Sequence, residues 1–210
     1  MIRIRYDQSP MSNIIVYGPR GGSAMRVFWA LEEVGQSYEQ KNLDMAKGEH
    51  KQEAFLAVNP VGQVPAASFD GFVMAESLAI NRYICEKYQP ALLGATPESR
   101  AKAMQWELFV ILNIQPHLST LASPKWGMTI TEEQATRAKD RLNQYLPLFE
   151  AYLSKTEFLS GAEFTIADIN AGAAFNYLGY AEVDISGYPS ITKWVNALHA
   201  RPSFAKGMNG

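Results

Sequence analysis

The chain has a single cysteine, Cys85. An internal disulfide needs two thiols and a cysteine-cluster metal site needs more, so both are excluded, and this usage fits a reducing compartment. No apolar run approaches the roughly 20 residues a helix needs to cross a bilayer, which leads to the expectation of a soluble, cytoplasmic protein with no membrane partner. Charge of one sign is not in excess either: 19 Lys and Arg stand against 21 Asp and Glu, for a formal net charge of -2. Such a surface gives nucleic acid no general electrostatic attraction. Internal repeats and low-complexity tracts are absent as well. What is present is 47% hydrophobic and 19% charged residues over 210 positions, a composition that folds and is long enough for one large domain or two modest ones without metals or staples.

The first ten residues, MIRIRYDQSP, carry Arg3 and Arg5 but no apolar stretch of signal-peptide length, and a second Met-Ser follows at Met11 and Ser12. Residues 1–12 read as an N-terminal arm, disordered or non-native. Asn13 to Tyr17 is a β-branched run closed by Gly-Pro, the mark of a short buried strand. After the loop RGGS at 20–23, apolar residues at Val27, Ala30, Leu31 and Val34 fall on one helical face, and Gly35 is a natural stop. A second strand is expected within Tyr38 to Leu43, and a short helix in KGEHKQEAFLAVNP that ends before Pro60. From Ala66 two arms meet at Asp70-Gly71, a strong hairpin turn signal. A further helix starts near Glu76 and turns Ile80, Tyr83, Ile84 and Tyr88 to one side. The resulting order is β-α-β-α-β-β-α.

Between Gln89 and Glu98 the chain has Pro90, Gly94 and Pro97 and loses periodicity, so 90–98 reads as a linker. It divides an α/β domain, 13–89, from an all-helical domain, 99–210. In the second, one long helix from Arg100 to Leu121 is expected to kink at Pro116. Thr131-Glu132-Glu133-Gln134 opens a helix with Leu142, Tyr145, Leu146, Phe149 and Leu153 on one face. Thr165-Ile166-Ala167-Asp168 opens a central, small-residue-rich helix, and Asp168 is assigned to that capping box rather than to catalysis. Pro189 begins a last helix bearing Ile191, Trp194, Val195 and Leu198. Cys85 sits near a buried helical face and reads as inert. Trp106, Phe109, Trp126 and Tyr177 are candidate walls of an apolar cosubstrate pocket at the domain boundary, with core packing as the competing reading.

The segments YGPRGGSAMRV and KGEHKQEAFLAVNPVGQVPA, the hairpin ending AES, and the later FTIAD together resemble the cytosolic glutathione transferase family. The wording GEHK with NPVGQVP is most similar to its phi class and phi-like bacterial members. The resemblance implies a thioredoxin-like N-terminal domain, a helical-bundle C-terminal domain, and glutathione as cosubstrate with no metal. It further implies that Pro65 follows a cis peptide bond and that the Val64 backbone pairs with the cysteinyl part of glutathione, as an added strand would. Glu76 and Ser77 then take the γ-glutamyl end at a helix N-terminus, while His50, Lys51 and Gln63 face the glycyl end.

The thiolate-stabilising hydroxyl has two candidates. In serine-type members the serine lies at the position of Gly21, whereas this chain carries Ser23; the competing role for Ser23 is N-cap of the first helix. Tyr17 ends the first strand as the catalytic tyrosine of other classes does, and the loop amides offer a third donor. The implied reaction is attack of glutathione thiolate on small, largely hydrophobic electrophiles, in detoxification, by a homodimer. The alternatives are a noncatalytic binding or assembly module with the same fold and a glutathione-dependent peroxidase. The lack of a CxxC disfavours chemistry on a protein thiol.

Overall fold

The computed structural model describes residues 13–209, so the expectation for the arm 1–12 lies outside the described residues. Strands β1 (Ile14–Tyr17), β2 (Glu39–Lys41), β3 (Ala66–Phe69) and β4 (Phe72–Ala75) form a four-stranded sheet in the order β2-β1-β3-β4. β1 and β2 are parallel, and β3 runs antiparallel to both β1 and β4. A parallel pair needs a crossover, supplied by α1 (Met25–Glu33). The β3–β4 turn has φ of 53° at Asp70 and 90° at Gly71, the positive values that a two-residue hairpin turn requires. The second strand is shorter than Tyr38 to Leu43, because Glu39 and Lys41 are exposed at a sheet edge with little apolar surface to extend it. A 3-10 turn at Glu49–Lys51 and α2 (Glu53–Leu56) take the place of the single short helix, and α3 (Ser77–Tyr88) follows the hairpin.

Helix α1 is buried all round, from Met25 to Leu31, and not only along the face that periodicity picks out. A helix apolar on every side belongs in an interior. Here α3, α7 (Ile166–Gly172) and α10 (Pro202–Asn209) all pack on it. Residues 189–199 are therefore not the last helix, which corrects the sequence reading. The closing helix α10 is held to α1 by the Arg201–Glu33 ion pair and by Trp29 Nε1 donating to Ser203 Oγ at 3.2 Å.

The helical half also contains α4 (Pro97–Asn113), α5 (Gln115–Ala122), α6 (Glu132–Leu153), α8 (Leu178–Ala181) and α9 (Pro189–His199). The expected continuous helix with a kink at Pro116 is corrected too: the break falls at Ile114, and Pro116 sits in the first turn of α5. That turn has no intrahelical partner for its amides, so the missing N–H costs nothing. Asp168 is fully buried and accepts from Thr165 N–H at 2.9 Å, Leu159 N–H at 3.0 Å and Trp194 Nε1 at 2.9 Å. Burial pushes its carboxyl up to about 6, and these donors oppose the shift. Its geometry is that of a folding group tying α7 to α9. Among the described residues, no helix is long and apolar enough to cross a membrane.

Candidate active site

The sheet register builds the site. Tyr17 pairs with Ala66, and Ala66 with Ala75. The segments just beyond those residues, the 18–23 loop, Val64-Pro65 and Glu76-Ser77, therefore emerge side by side at one end of the sheet. Gly18 permits the approach: its φ is 131°, and a Cβ there would stand 3.0 Å from the Val64 Cβ. The Val64–Pro65 peptide bond is cis. Among the described residues neither the Val64 N–H nor its C=O has a hydrogen-bond partner, so both are free to pair with an extended ligand.

These segments wall a cleft of about 590 Å³ lined by Ser23, His50, Lys51, Gln63, Val64, Pro65, Glu76 and Ser77, all expected from the sequence. Arg26, Met45, Ile111 and Gln115 also line it and were not anticipated. Glu76 has φ 67° and ψ 107°, an uncommon backbone conformation for a non-glycine residue. It stands exposed at the N-cap of the 12-residue α3 without capping it. The free amides of that helix start and its dipole therefore remain available to an anion, next to a carboxylate suited to an ammonium.

Beneath this corner lies a buried polar network. Arg26, only 3% exposed, donates to Ser77 Oγ at 3.2 Å, to the Asn170 carbonyl at 2.9 Å and to Gln115 Oε1. Asn170 Nδ2 donates to Glu107 at 2.7 Å. Burial lowers the Arg26 guanidinium to about 10, with Tyr177 and Glu107 opposing, so it is charged at neutral pH. Because Ser77 Oγ accepts from Arg26, its own proton is free to be donated to a ligand. The sequence signal for Arg26 was a lone cation inside the otherwise apolar run Met25–Leu31, which a charge count passes over.

At the other end, Asn59 Nδ2 donates to the Gln63 carbonyl at 2.7 Å, and its Oδ1 accepts from Val61 N–H at 3.2 Å. This buried side chain fixes the loop presenting Gln63. Lys51 Nζ reaches the Val61 carbonyl at 3.2 Å, and His50 Nδ1 is buried with no partner. A cation and an imidazole thus stand across the cleft from Glu76-Ser77.

The two hydroxyl candidates part company. Ser23 lines the cleft from a 3-10 turn whose N-cap is Gly21, while Ala24 is the N-cap of α1. The N-cap role considered for Ser23 is therefore not the observed one. Tyr17 is not brought into the cleft: it lines a separate depression with Lys41 and Phe55, its ring centroid 6.0 Å from that of Phe55. Trp106 and Phe109 do not line it either, because both face the interior of the helical half. Trp106 stacks on Tyr152 at 4.1 Å, and Phe109 meets Tyr145 edge-on at 5.9 Å. Trp126 and Tyr177 line a smaller cavity at the seam between the halves. Among the described residues no group of three or more His, Cys, Asp or Glu could hold a metal. Cys85 is fully buried, and burial pushes its thiol up to about 12.

Together, a mixed sheet with its crossover helices, a mostly helical second half and a cleft floored by a cis-proline peptide define a glutathione-transferase type of architecture. The comparisons with known proteins agree. Residues 12–86 match the glutathione S-transferase N-terminal domain and residues 101–202 the C-terminal domain. Glutathione S-transferase F9 of Arabidopsis thaliana is 33% identical, covering 90% of this chain and 93% of that protein. Glutathione S-transferase 3 of Zea mays is 34% identical over 93% of each. Among solved structures, glutathione S-transferase-I bound with lactoylglutathione superposes with a TM-score of 0.83 at 30% identity, covering 93% of this chain and 98% of that one. Glutathione transferase F7 from Populus trichocarpa gives 0.84 at 28% identity, covering 94% and 100%. The chain belongs to the glutathione S-transferase family, and the F-type names among its relatives agree with the phi-like resemblance.

Proposed function

We propose that the protein is a glutathione transferase in which Ser23 stabilises the thiolate of glutathione for attack on small, largely hydrophobic electrophiles. The observation that carries this reading is the convergence of the Ser23 hydroxyl, the open Val64 peptide and the Glu76-Ser77 corner on one cleft. In that reading the γ-glutamyl carboxylate takes the α3 amides and the Ser77 hydroxyl, and its ammonium takes Glu76. The cysteinyl part pairs with Val64, and the glycyl carboxylate meets His50, Lys51 and Gln63. A model thiol with pKa about 8.5 is mostly protonated at neutral pH. Lowering it by about two units takes roughly 2.7 kcal/mol of preference for the thiolate, within reach of one hydroxyl donor and the amides of the loop.

The test is the pH profile of conjugation with chlorodinitrobenzene. Ser23→Ala should lower kcat about 100-fold and move the thiol limb to higher pH. An unchanged rate and limb would take the role from Ser23. Buried, protonated Cys85 supports no reaction through a protein thiol.

A cytoplasmic detoxification enzyme that acts as a homodimer completes the reading, with the domains divided at 90–98. Met104, Leu108 and Leu112 recur every fourth residue on α4 and are all exposed, as are Phe72 and Val73 on the sheet-edge strand β4. Exposed apolar rows of this kind support association. A monomeric mass by light scattering across a wide concentration range would rule the dimer out.

A further inference from the structure

The 18–23 loop carries Ser23, and its own sequence does little to hold it in place. Gly18, Gly21 and Gly22 all lie in it, and glycine has more backbone freedom to lose on folding than any other residue. Gly21 is extended at φ -165°, a conformation any residue adopts, and a Cβ there would meet nothing within 4 Å. Neither backbone strain nor packing therefore fixes the chain at Gly21, just ahead of Ser23.

What holds the loop is the Arg20 side chain, which does not line the cleft. Its Nη1 donates to the Gly207 carbonyl of α10 at 2.9 Å and its Nε to Gln40 Oε1 of β2 at 3.0 Å. Gln40 Nε2 in turn donates to the Gly18 carbonyl at 2.9 Å, and the Gly18 N–H donates to the Lys41 carbonyl at 3.0 Å. The guanidinium carbon lies 4.6 Å from the centre of the Phe28 ring and 5.5 Å from that of Tyr38, whose hydroxyl donates to Glu32 at 2.9 Å. One planar fork, stacked on aromatic rings, thus ties the loop to β2, α1 and the last turn of α10. Carbonyls in a last turn have no partner within their helix, so the Gly207 oxygen is free to accept. It is also firmly placed, because a Cβ on Gly207 would stand 2.8 Å from the Trp29 Cα and 2.9 Å from the Trp29 nitrogen.

We propose that Arg20 is the positioning residue of the thiolate site: held by the Gly207 carbonyl and Gln40, it sets where the Ser23 hydroxyl stands and hence how acidic bound glutathione is. The proposal rests on the transferase reading above. Arg20 acts through the loop backbone and not on the sulfur itself. Hydrogen bonds weaken steeply as distance and angle depart from their optimum, so a loop free to drift leaves the thiolate a poorer donor even with Ser23 intact. The closing helix α10 contributes no residue to the cleft lining, yet through this contact it bears on the reacting atom.

The experiment titrates the thiolate of bound glutathione by its ultraviolet absorbance, alongside conjugation of chlorodinitrobenzene, in the full chain and its variants. Arg20→Ala should raise the thiol pKa by about one unit, which at neutral pH lowers turnover about tenfold. Gly207→Ala, which pushes the same carbonyl off the Trp29 backbone, should shift the titration in the same direction. The double variant should shift it no further than Arg20→Ala alone, because both changes break one contact. Arg20→Lys keeps the charge without the fork and should also move the titration. A thiol pKa unmoved in folded Arg20→Ala, whatever its urea midpoint, makes Arg20 merely structural and overturns the proposal. A wild-type titration in Arg20→Lys overturns it too, and decides the matter by itself should Arg20→Ala fail to fold. So do additive shifts in the double variant. Ser23→Ala with an unchanged titration takes down the Ser23 reading as well, a failure visible without any change at Arg20.

Discussion

The two halves of the chain meet at one cleft but supply it by different means. The α/β half supplies backbone, the cis Val64–Pro65 peptide, the positive φ of Glu76 and the free amides that open α3, together with side chains beside it such as Ser23, Lys51 and Glu76. Each comes from a few contiguous residues, and the pairing of β1, β3 and β4 brings them together. The helical half supplies the Ile111 and Gln115 side chains on the cleft and the Asn170 backbone carbonyl beneath it, from positions far apart in sequence. Recognition of a constant ligand can therefore be written into local motifs, while the surface facing a variable acceptor depends on how helices pack.

If the halves are coupled as this contrast implies, Arg26 is where the coupling is strongest, since its one guanidinium serves Ser77 on one side and Asn170 and Gln115 on the other. Arg26→Ala strands three buried or partly buried acceptors, each worth about 1–3 kcal/mol when left unpaired. The expected loss of stability is about 3 kcal/mol or more, read as a fall in the urea midpoint at unchanged slope. A loss below about 1 kcal/mol would mean that the halves hold together without this network.

The same contrast explains what could be read in the sequence. The α/β half, its hairpin and most cleft residues were legible because they lie in short motifs with local turn chemistry. Tyr17 was placed by its position at the end of β1, although strand parity argues otherwise. It shares the less buried face with Ile15, opposite Ile14 and Val16, and that face meets α2. Trp106 and Phe109 were misplaced because three-residue spacing puts them on one helix face without saying which. In α4 that face meets Phe149 and Tyr152 of α6. Helix α10 left little trace in the pattern. Its place depends on Gly207, where a Cβ would meet the Trp29 backbone at 2.8 Å, a contact between residues distant in sequence.

A smaller effect is expected at the corner itself. Glu76→Ala removes an exposed carboxylate proposed to meet the ligand's ammonium, and solvent screening limits such a contact. Glutathione affinity should weaken about tenfold, or about 1.4 kcal/mol, by calorimetry. Asp168→Asn, measured at a temperature where both variants are folded, should leave affinity near the wild-type value, because Asp168 ties α7 to α9 and does not line the cleft. Equal effects from the two substitutions would dismiss the Glu76 contact.

The smallest effect should come from Tyr17→Phe. Its ring packs beside Phe55, and its face lies 5.7 Å from the Lys41 ammonium, contacts that the phenylalanine ring largely retains. The deleted hydroxyl belongs to a depression lined by Lys41, Glu49 and Phe55, not to the cleft that holds Ser23. Turnover with chlorodinitrobenzene should therefore stay within about twofold of the wild type, less than about 0.5 kcal/mol of transition-state stabilisation. The informative measurement sets this variant beside Ser23→Ala at several pH values. A strand-end hydroxyl acting on the thiol would shift the ionisation limb in Tyr17→Phe and spare it in Ser23→Ala. That outcome would reverse the assignment and require the 18–23 loop to rearrange when glutathione binds.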